Sequence, residues 1–124
     1  MAFSNHPGWM VAIILRGLVL PYYLHLFMGN ARGSDITCRY GGEEYLLVMP
    51  GMTREFAMKR AEDLRQICTQ IRISYEGQEL GITVSFGVAT YPSDGKDLDI
   101  IIGWADKALY QSKQNGRDQV TAWM

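Results

Sequence analysis

Cysteine is scarce in this 124-residue chain. The two that occur, Cys38 and Cys68, stand alone and fit no zinc-ligand spacing, which excludes a cysteine-built zinc site. They read as reduced core thiols of a cytoplasmic protein, with a single bridge between them as the other reading. A basic excess is missing as well. Twelve Lys and Arg against thirteen Asp and Glu leave a net charge of -1. That excludes a general nucleic-acid binder and leaves room for a small anionic ligand, for which one local pair of basic residues suffices. An uninterrupted apolar run of membrane length is also lacking. Trp9 to Met28, "WMVAIILRGLVLPYYLHLFM", is about long enough to span a bilayer, but Arg16 sits near its middle, Pro21 interrupts it and His25 follows. A central Arg is costly in lipid, and no small-residue cleavage site follows, so the segment is expected to be a buried helix or strand. Repeats and linkers are absent. Hydrophobic content of 48% and charged content of 20% fit one soluble globular domain with a modest core.

What is present is a sequence of turn signals between periodic segments. Val11 to Leu15 is a β-branched run suited to a strand, and Leu18 to Met28 suits a helix equally well. Gly29 to Asp35, "GNARGSD", is a loop by composition. Ile36 to Tyr40 and Glu43 to Met49 are extended runs separated by Gly41-Gly42, which predicts a β-hairpin. Thr53 is placed to cap a helix with Ala57, Ala61, Leu64, Cys68 and Ile71 on its buried face and Arg54, Lys59 and Asp63 towards water. Ile71 to Tyr75 and Gln78 to Tyr91 flank a turn at Glu76-Gly77 and predict a second hairpin. In its long arm Ile82, Val84, Phe86 and Val88 alternate with Thr83, Ser85, Gly87 and Ala89, so something is expected to pack closely on the small side. After a turn at Pro92 to Gly95, Asp97 is placed to cap a last helix that ends at Asn115-Gly116. Its apolar face is Leu98, Ile101, Ile102, Ala105, Ala108, Leu109 and Ser112. Gln119 to Trp123 predicts a short final strand. The order indicates an α+β fold with helices flanking a mainly antiparallel sheet.

Three clusters have the residue types for chemistry. In "RYGGEEYLLVMPG" the bland reading of Glu43 and Glu44 is a polar hairpin rim. The sharper one is metal ligation, since Mg²⁺ takes carboxylate oxygens and keeps nucleotide phosphates as further ligands. Gly41 and Gly42 would let the backbone approach a phosphate. Adjacent strand residues point to opposite faces, however, so both carboxylates reach one ion only if the turn distorts the strand. Lys113 and Arg117, in "KQNGRD", are either a basic helix end favoured by the dipole or a phosphate clamp. Arg32 and Asp35, in "RGSD", are either a loop ion pair or a grip on guanine, with Arg donating to O6 and N7.

Taken together, "RGSDITCRYGGEEYLLVMPG", "SFGVATYPSDG" and "ADKALYQSKQNGRD" resemble the GGDEF domain of bacterial diguanylate cyclases, from about Gly29 to the C-terminus. The resemblance implies a palm-like domain that, as a homodimer with each half presenting one GTP, condenses two GTP into cyclic di-GMP with Mg²⁺ or Mn²⁺. It implies metal and catalytic roles for Glu43 and Glu44, substrate binding by Gly41, Gly42, Lys113 and Arg117, and a product-inhibitory site at Arg32 and Asp35. Tyr45 stands for the usual Phe, and Asp63 stands where an Arg often helps the inhibitory site. Residues 1–28 depart from the pattern. They lack the family's first strand with its metal-binding Asp, and the Asn and Asp that recognise guanine. The expected division is therefore an atypical apolar segment at 1–28 and a GGDEF-like domain at 29–124. Val11 to Leu15 is the candidate to fill the empty strand slot, which would put Arg16 near the place of the metal Asp. Little or no turnover is expected. The alternative is a degenerate module that binds cyclic di-GMP or a protein partner.

Overall fold

The computed structural model describes residues 10–17, 36–39, 41 and 44–123. The elements run β1 (Met10–Gly17), β2 (Ile36–Arg39), β3 (Glu44–Pro50), α1 (Arg54–Thr69), β4 (Arg72–Tyr75), β5 (Gln78–Gly81), β6 (Val84–Tyr91), α2 (Leu98–Gln114) and β7 (Val120–Ala122). Among the described residues, five strands form one sheet in the order β2-β3-β1-β6-β7, and β4 pairs with β5 apart from it. All neighbours in the large sheet are antiparallel except β6 and β7.

The apolar N-terminal run does become a strand, and it takes the central slot. β1 lies between β3 and β6, and Met10, Val11, Ala12, Ile13 and Ile14 are each at most 5% exposed. A strand flanked on both sides and covered on both faces has no solvent side, which is why this run carries no polar alternation. The expected helix at Leu18 to Met28 lies outside the described residues. No helix among the described residues is long and apolar enough to cross a membrane.

Among the described residues, each face of the sheet is covered by one helix. Val11, Ile13, Tyr45, Leu47 and Phe86 pack with Ala57, Ala61, Leu64 and Cys68 of α1. Ala12, Ile14, Leu46, Val48 and Ala89 pack with Ile101, Ala105 and Leu109 of α2. Both predicted caps form: the Thr53 hydroxyl accepts from the Phe56 N–H at 3.3 Å, and the Asp97 carboxylate accepts from the Ile100 N–H at 2.9 Å. Cys68 is buried, and that burial pushes its thiol pKa up, with the Asp118 charge adding to the shift.

The small side of β6 receives α2 at backbone contact. A Cβ placed on Gly87 would stand 2.1 Å from the Ala105 carbonyl oxygen and 2.2 Å from the Leu109 nitrogen. Those are backbone atoms of a helix and have no rotamer with which to yield. Gly87→Ala is therefore expected to push α2 off the sheet and destabilise the protein by about 3 kcal/mol. Urea unfolding of the variant checks this, and a loss below about 1 kcal/mol would mean that the helix shifts freely.

Two expectations need correction. The long arm Gln78 to Tyr91 is not one strand: β5 stops at Gly81, β6 begins at Val84, and β5 pairs only with β4. Ile82 is buried in the α1-side core, so the chain turns inward there instead of running on. Arg54 is not a solvated helix charge. Its Nη2 donates to Asp94 at 3.2 Å, and its Nε donates to the Thr90 hydroxyl at 3.4 Å. The Asp94 side chain is only 8% exposed, and a carboxylate so far out of water needs a counter-charge.

Candidate functional site

The candidate site residues that the structure describes lie at one end of the large sheet. Glu44 opens β3, and its Cα neighbour across the ladder is Arg16 of β1. On the other side of β1, Arg16 is paired with Ser85 of β6. Strands lie about 4.8 Å apart, so Glu44 and Ser85 are separated by about 10 Å at Cα. The next step is a hydrogen bond: the Asp118 N–H donates to the Ser85 hydroxyl at 3.0 Å. Glu44, Arg16, Ser85 and the loop bearing Arg117 and Asp118 thus form one line across the sheet end.

The hairpin turn approaches this line from the β2–β3 side. The ladder pairs Arg39 with Tyr45, and the Gly41 N–H donates to the Glu44 carbonyl at 3.2 Å. Arg39 Nε donates to the Gly41 carbonyl at 3.2 Å. Glu44 Oε2 lies 3.5 Å from where a Cβ on Gly41 would stand, so the carboxylate folds back over the turn. Tyr45 is 7% exposed in the α1-side core, whereas Leu46 packs on the α2 side. By alternation Glu44 belongs to the α2 side, the side of Gly87. Gly42, Glu43, Arg32 and Asp35 lie outside the described residues.

Lys113 and Arg117 are brought to the same end by the close of α2. Lys113 is half-buried in the last helical turn, and Arg117 is exposed. Asn115 caps the helix, Gly116 takes φ +107°, and the Arg117 N–H returns to the Ser112 carbonyl at 2.8 Å. This is the glycine-terminated helix end that the Asn-Gly pair predicts. Arg117 and Asp118 continue at φ +63° and +47°. Left-handed backbone costs a non-glycine residue about 1 kcal/mol, so two in succession need support. Behind them, the buried Ser112 hydroxyl donates to the Phe86 carbonyl at 2.8 Å and meets the Thr121 hydroxyl at 2.6 Å.

Sequence reasoning missed three residues here: Ser85, Asp118 and Arg65. Arg65 on α1 reaches Asp118 Oδ1 at 3.1 Å while its Nε and Nη2 donate to Glu62. The Glu62–Arg65 spacing of a helical ion pair was a readable signal, but nothing local points from α1 to Asp118.

The chain matches the family model "Diguanylate cyclase, GGDEF domain" over residues 19–119. Among curated proteins it is 38% identical over 104 residues to Diguanylate cyclase A of Treponema denticola, covering 84% of this chain and 28% of that protein. It is 32% identical over 93 residues to Response regulator PleD of Caulobacter vibrioides, covering 73% of this chain and 20% of that protein. The chain thus spans less than a third of the length of these relatives. Among solved structures it superposes on the GGDEF domain of DgcB from Caulobacter crescentus, in complex with c-di-GMP, with a TM-score of 0.83 and 25% identity. That match covers 98% of this chain and 78% of the other. The active GGEEF domain of a diguanylate cyclase from Vibrio cholerae shares the fold, with a TM-score of 0.85, 22% identity and coverage of 99% and 87%. The chain belongs to the GGDEF domain family of diguanylate cyclases.

Proposed function

We propose that this chain is a diguanylate-cyclase-type domain that holds guanine nucleotides but turns GTP over weakly or not at all. Residues 29–124 are its family core, and β1 from the apolar N-terminal segment completes the sheet. The reading rests on the line Glu44, Arg16, Ser85 and Asp118, which sets the signature turn and the Lys113–Arg117 clamp at one sheet end. In this reading Lys113 supplies a point charge and Arg117 a planar fork to the phosphates. The glycines Gly41 and Gly42 let the turn backbone come close to the nucleotide. Arg32 and Asp35 hold the guanine of cyclic di-GMP as a product site. A family-type condensation would need two such domains face to face, and a cytoplasmic setting belongs to the same reading.

GGDEF diguanylate cyclases generally use divalent metal ions, and Mg²⁺ or Mn²⁺ would be the ion here, with Glu43 and Glu44 as its ligands. Of that pair only Glu44 lies among the described residues. Its register neighbour on β1 is Arg16. An Arg at the β1 register position next to Glu44, where the family pattern has a metal-binding Asp, supports a second reading, a module that binds cyclic di-GMP or a protein partner without catalysis. Among the similar solved structures, the GGDEF domain of DgcB is in complex with c-di-GMP and diguanylate cyclase SiaD of Pseudomonas aeruginosa is in complex with its activator SiaC.

Calorimetric titration separates these outcomes. The wild type is expected to bind cyclic di-GMP, and to bind GTP more weakly through the clamp. Lys113→Ala should weaken GTP about tenfold, as removal of a charged hydrogen bond does, and leave cyclic di-GMP unchanged. A chain that binds neither ligand overturns the proposal. Loss of both ligands in Lys113→Ala would make Lys113 a structural residue.

A further inference from the structure

Arg117 and Asp118 hold a backbone conformation that L-residues avoid, and it persists because ties from several directions fix it. Arg117 N–H is bound by the Ser112 carbonyl at 2.8 Å, and Asp118 N–H by the Ser85 hydroxyl at 3.0 Å. The Gln119 side-chain amide donates to the Asn115 and Arg117 carbonyls at 2.8 and 3.1 Å. These three ties come from α2, from the sheet and from the loop itself. The fourth comes from the other layer. Arg65 Nη1 donates to Asp118 Oδ1 at 3.1 Å and lies 3.5 Å from the Asp118 carbonyl oxygen. Its remaining edge, Nε and Nη2, is occupied by Glu62. Glu62 therefore aims the fork and leaves Nη1 facing Asp118. The Arg65 side chain is 20% exposed, so this contact is screened less than a surface pair. Mutual hydrogen bonding holds the Glu62 carboxyl below its usual range and raises the Arg65 guanidinium, so both remain charged at neutral pH.

We propose that Arg65 is a positioning residue for the phosphate-binding arm of the site: it fixes Asp118, and through Asp118 the exposed guanidinium of Arg117. The inference rests on the reading of Arg117 as a phosphate contact. Its rival is a plain brace that ties α1 to the loop before β7 and supports the fold as a whole. The two differ in what they affect. A brace acts on every ligand and on stability, whereas positioning acts on the ligand that Arg117 touches and only while Arg117 is present.

The experiment is a mutant cycle read by calorimetry with GTP and cyclic di-GMP, with thermal unfolding alongside. Arg65→Met is expected to weaken GTP about tenfold, in the middle of the range for coupled neighbours, and to leave cyclic di-GMP unchanged. Arg65→Lys should recover most of the loss, because an ammonium there still reaches Asp118. In an Arg117→Ala background, Arg65→Met should cost nothing further. Equal loss of both ligands, or a loss that persists without Arg117, would make Arg65 a brace and overturn the proposal. If Arg65→Met lowers the thermal midpoint below the assay temperature, Asp118→Asn carries the same test. Asparagine tolerates the left-handed backbone but gives up the charge, and wild-type GTP affinity in that variant overturns the proposal. If Arg117→Ala alone leaves GTP binding intact, the reading of Arg117 fails first and takes this inference with it.

Discussion

Purified protein incubated with GTP and Mg²⁺ is expected to form no measurable cyclic di-GMP. The reason lies at the end of β1. The family pattern calls for a metal-binding Asp on that strand, and here Arg16 occupies the register position between Glu44 and Ser85. Losing one ligand of a catalytic metal removes on the order of 4 kcal/mol of transition-state stabilisation, or about a thousandfold in rate. Arg16→Asp removes a positive charge and adds a carboxylate beside Glu44. In that variant GTP binding is expected to become tighter with Mg²⁺ than without it by about tenfold, one charged contact's worth, while turnover stays low. Chromatographic assay for cyclic di-GMP, with calorimetry in Mg²⁺ and in chelator, makes the measurement. Robust product from the wild type would show that the metal centre is completed by residues other than those named.

The parts of this architecture that were readable in advance share a short range. Thr53 and Asp97 announce helix starts because a cap acts on an N–H three residues away. Asn115-Gly116 announces a helix end for the same local reason. The small face of β6 was readable because period-two alternation records what packs on each side, and α2 does press on Gly87. The placement of β1 was expected from the family resemblance, as the run that fills the empty strand slot, and its lack of polar alternation fits the central position it takes. What could not be read depends on partners distant in sequence. Arg54 looks like an ordinary exposed helix charge until Asp94 is found beside it, and Arg65 gives no hint of Asp118. The break at Ile82 was hidden because its side chain continues the alternation of β6 while its backbone does not continue the strand. The candidate site divides in the same way. Residue types and motif order singled out Glu44, Lys113 and Arg117 as candidates, but only the strand register sets the first of these on a line with the loop of the last.

Cyclic di-GMP binding is expected to fall by about a hundredfold or more in Arg32→Ala. Two charge-assisted hydrogen bonds to one guanine are worth about 3 kcal/mol or more together, and the substitution removes both along with the positive charge. The helix residue expected to modulate this site is Asp63, which stands where a helping Arg often occurs. It is exposed on α1 beside a groove of about 520 Å³ lined by Phe56, Lys59, Arg60, Asp63, Leu64 and Ile67. The Asp63 carboxylate accepts from Lys59 Nζ at 3.0 Å, one helical turn away, so each charge masks the other. An exposed pair of this kind contributes at most about 1 kcal/mol to stability, so breaking it leaves the fold intact. Asp63→Arg both adds a guanidinium and frees the Lys59 ammonium for the ligand phosphates. Each change is worth about 1 kcal/mol at water-like dielectric, so the variant is expected to bind cyclic di-GMP at least about tenfold tighter. Because these groups are exposed, the gain should shrink as salt rises from about 0.1 M to about 1 M. Calorimetry on the wild type and the two variants, at both ionic strengths, decides the matter. Unchanged binding in Arg32→Ala would reduce Arg32 and Asp35 to a loop ion pair, and unchanged binding in Asp63→Arg would mean that α1 does not face the ligand.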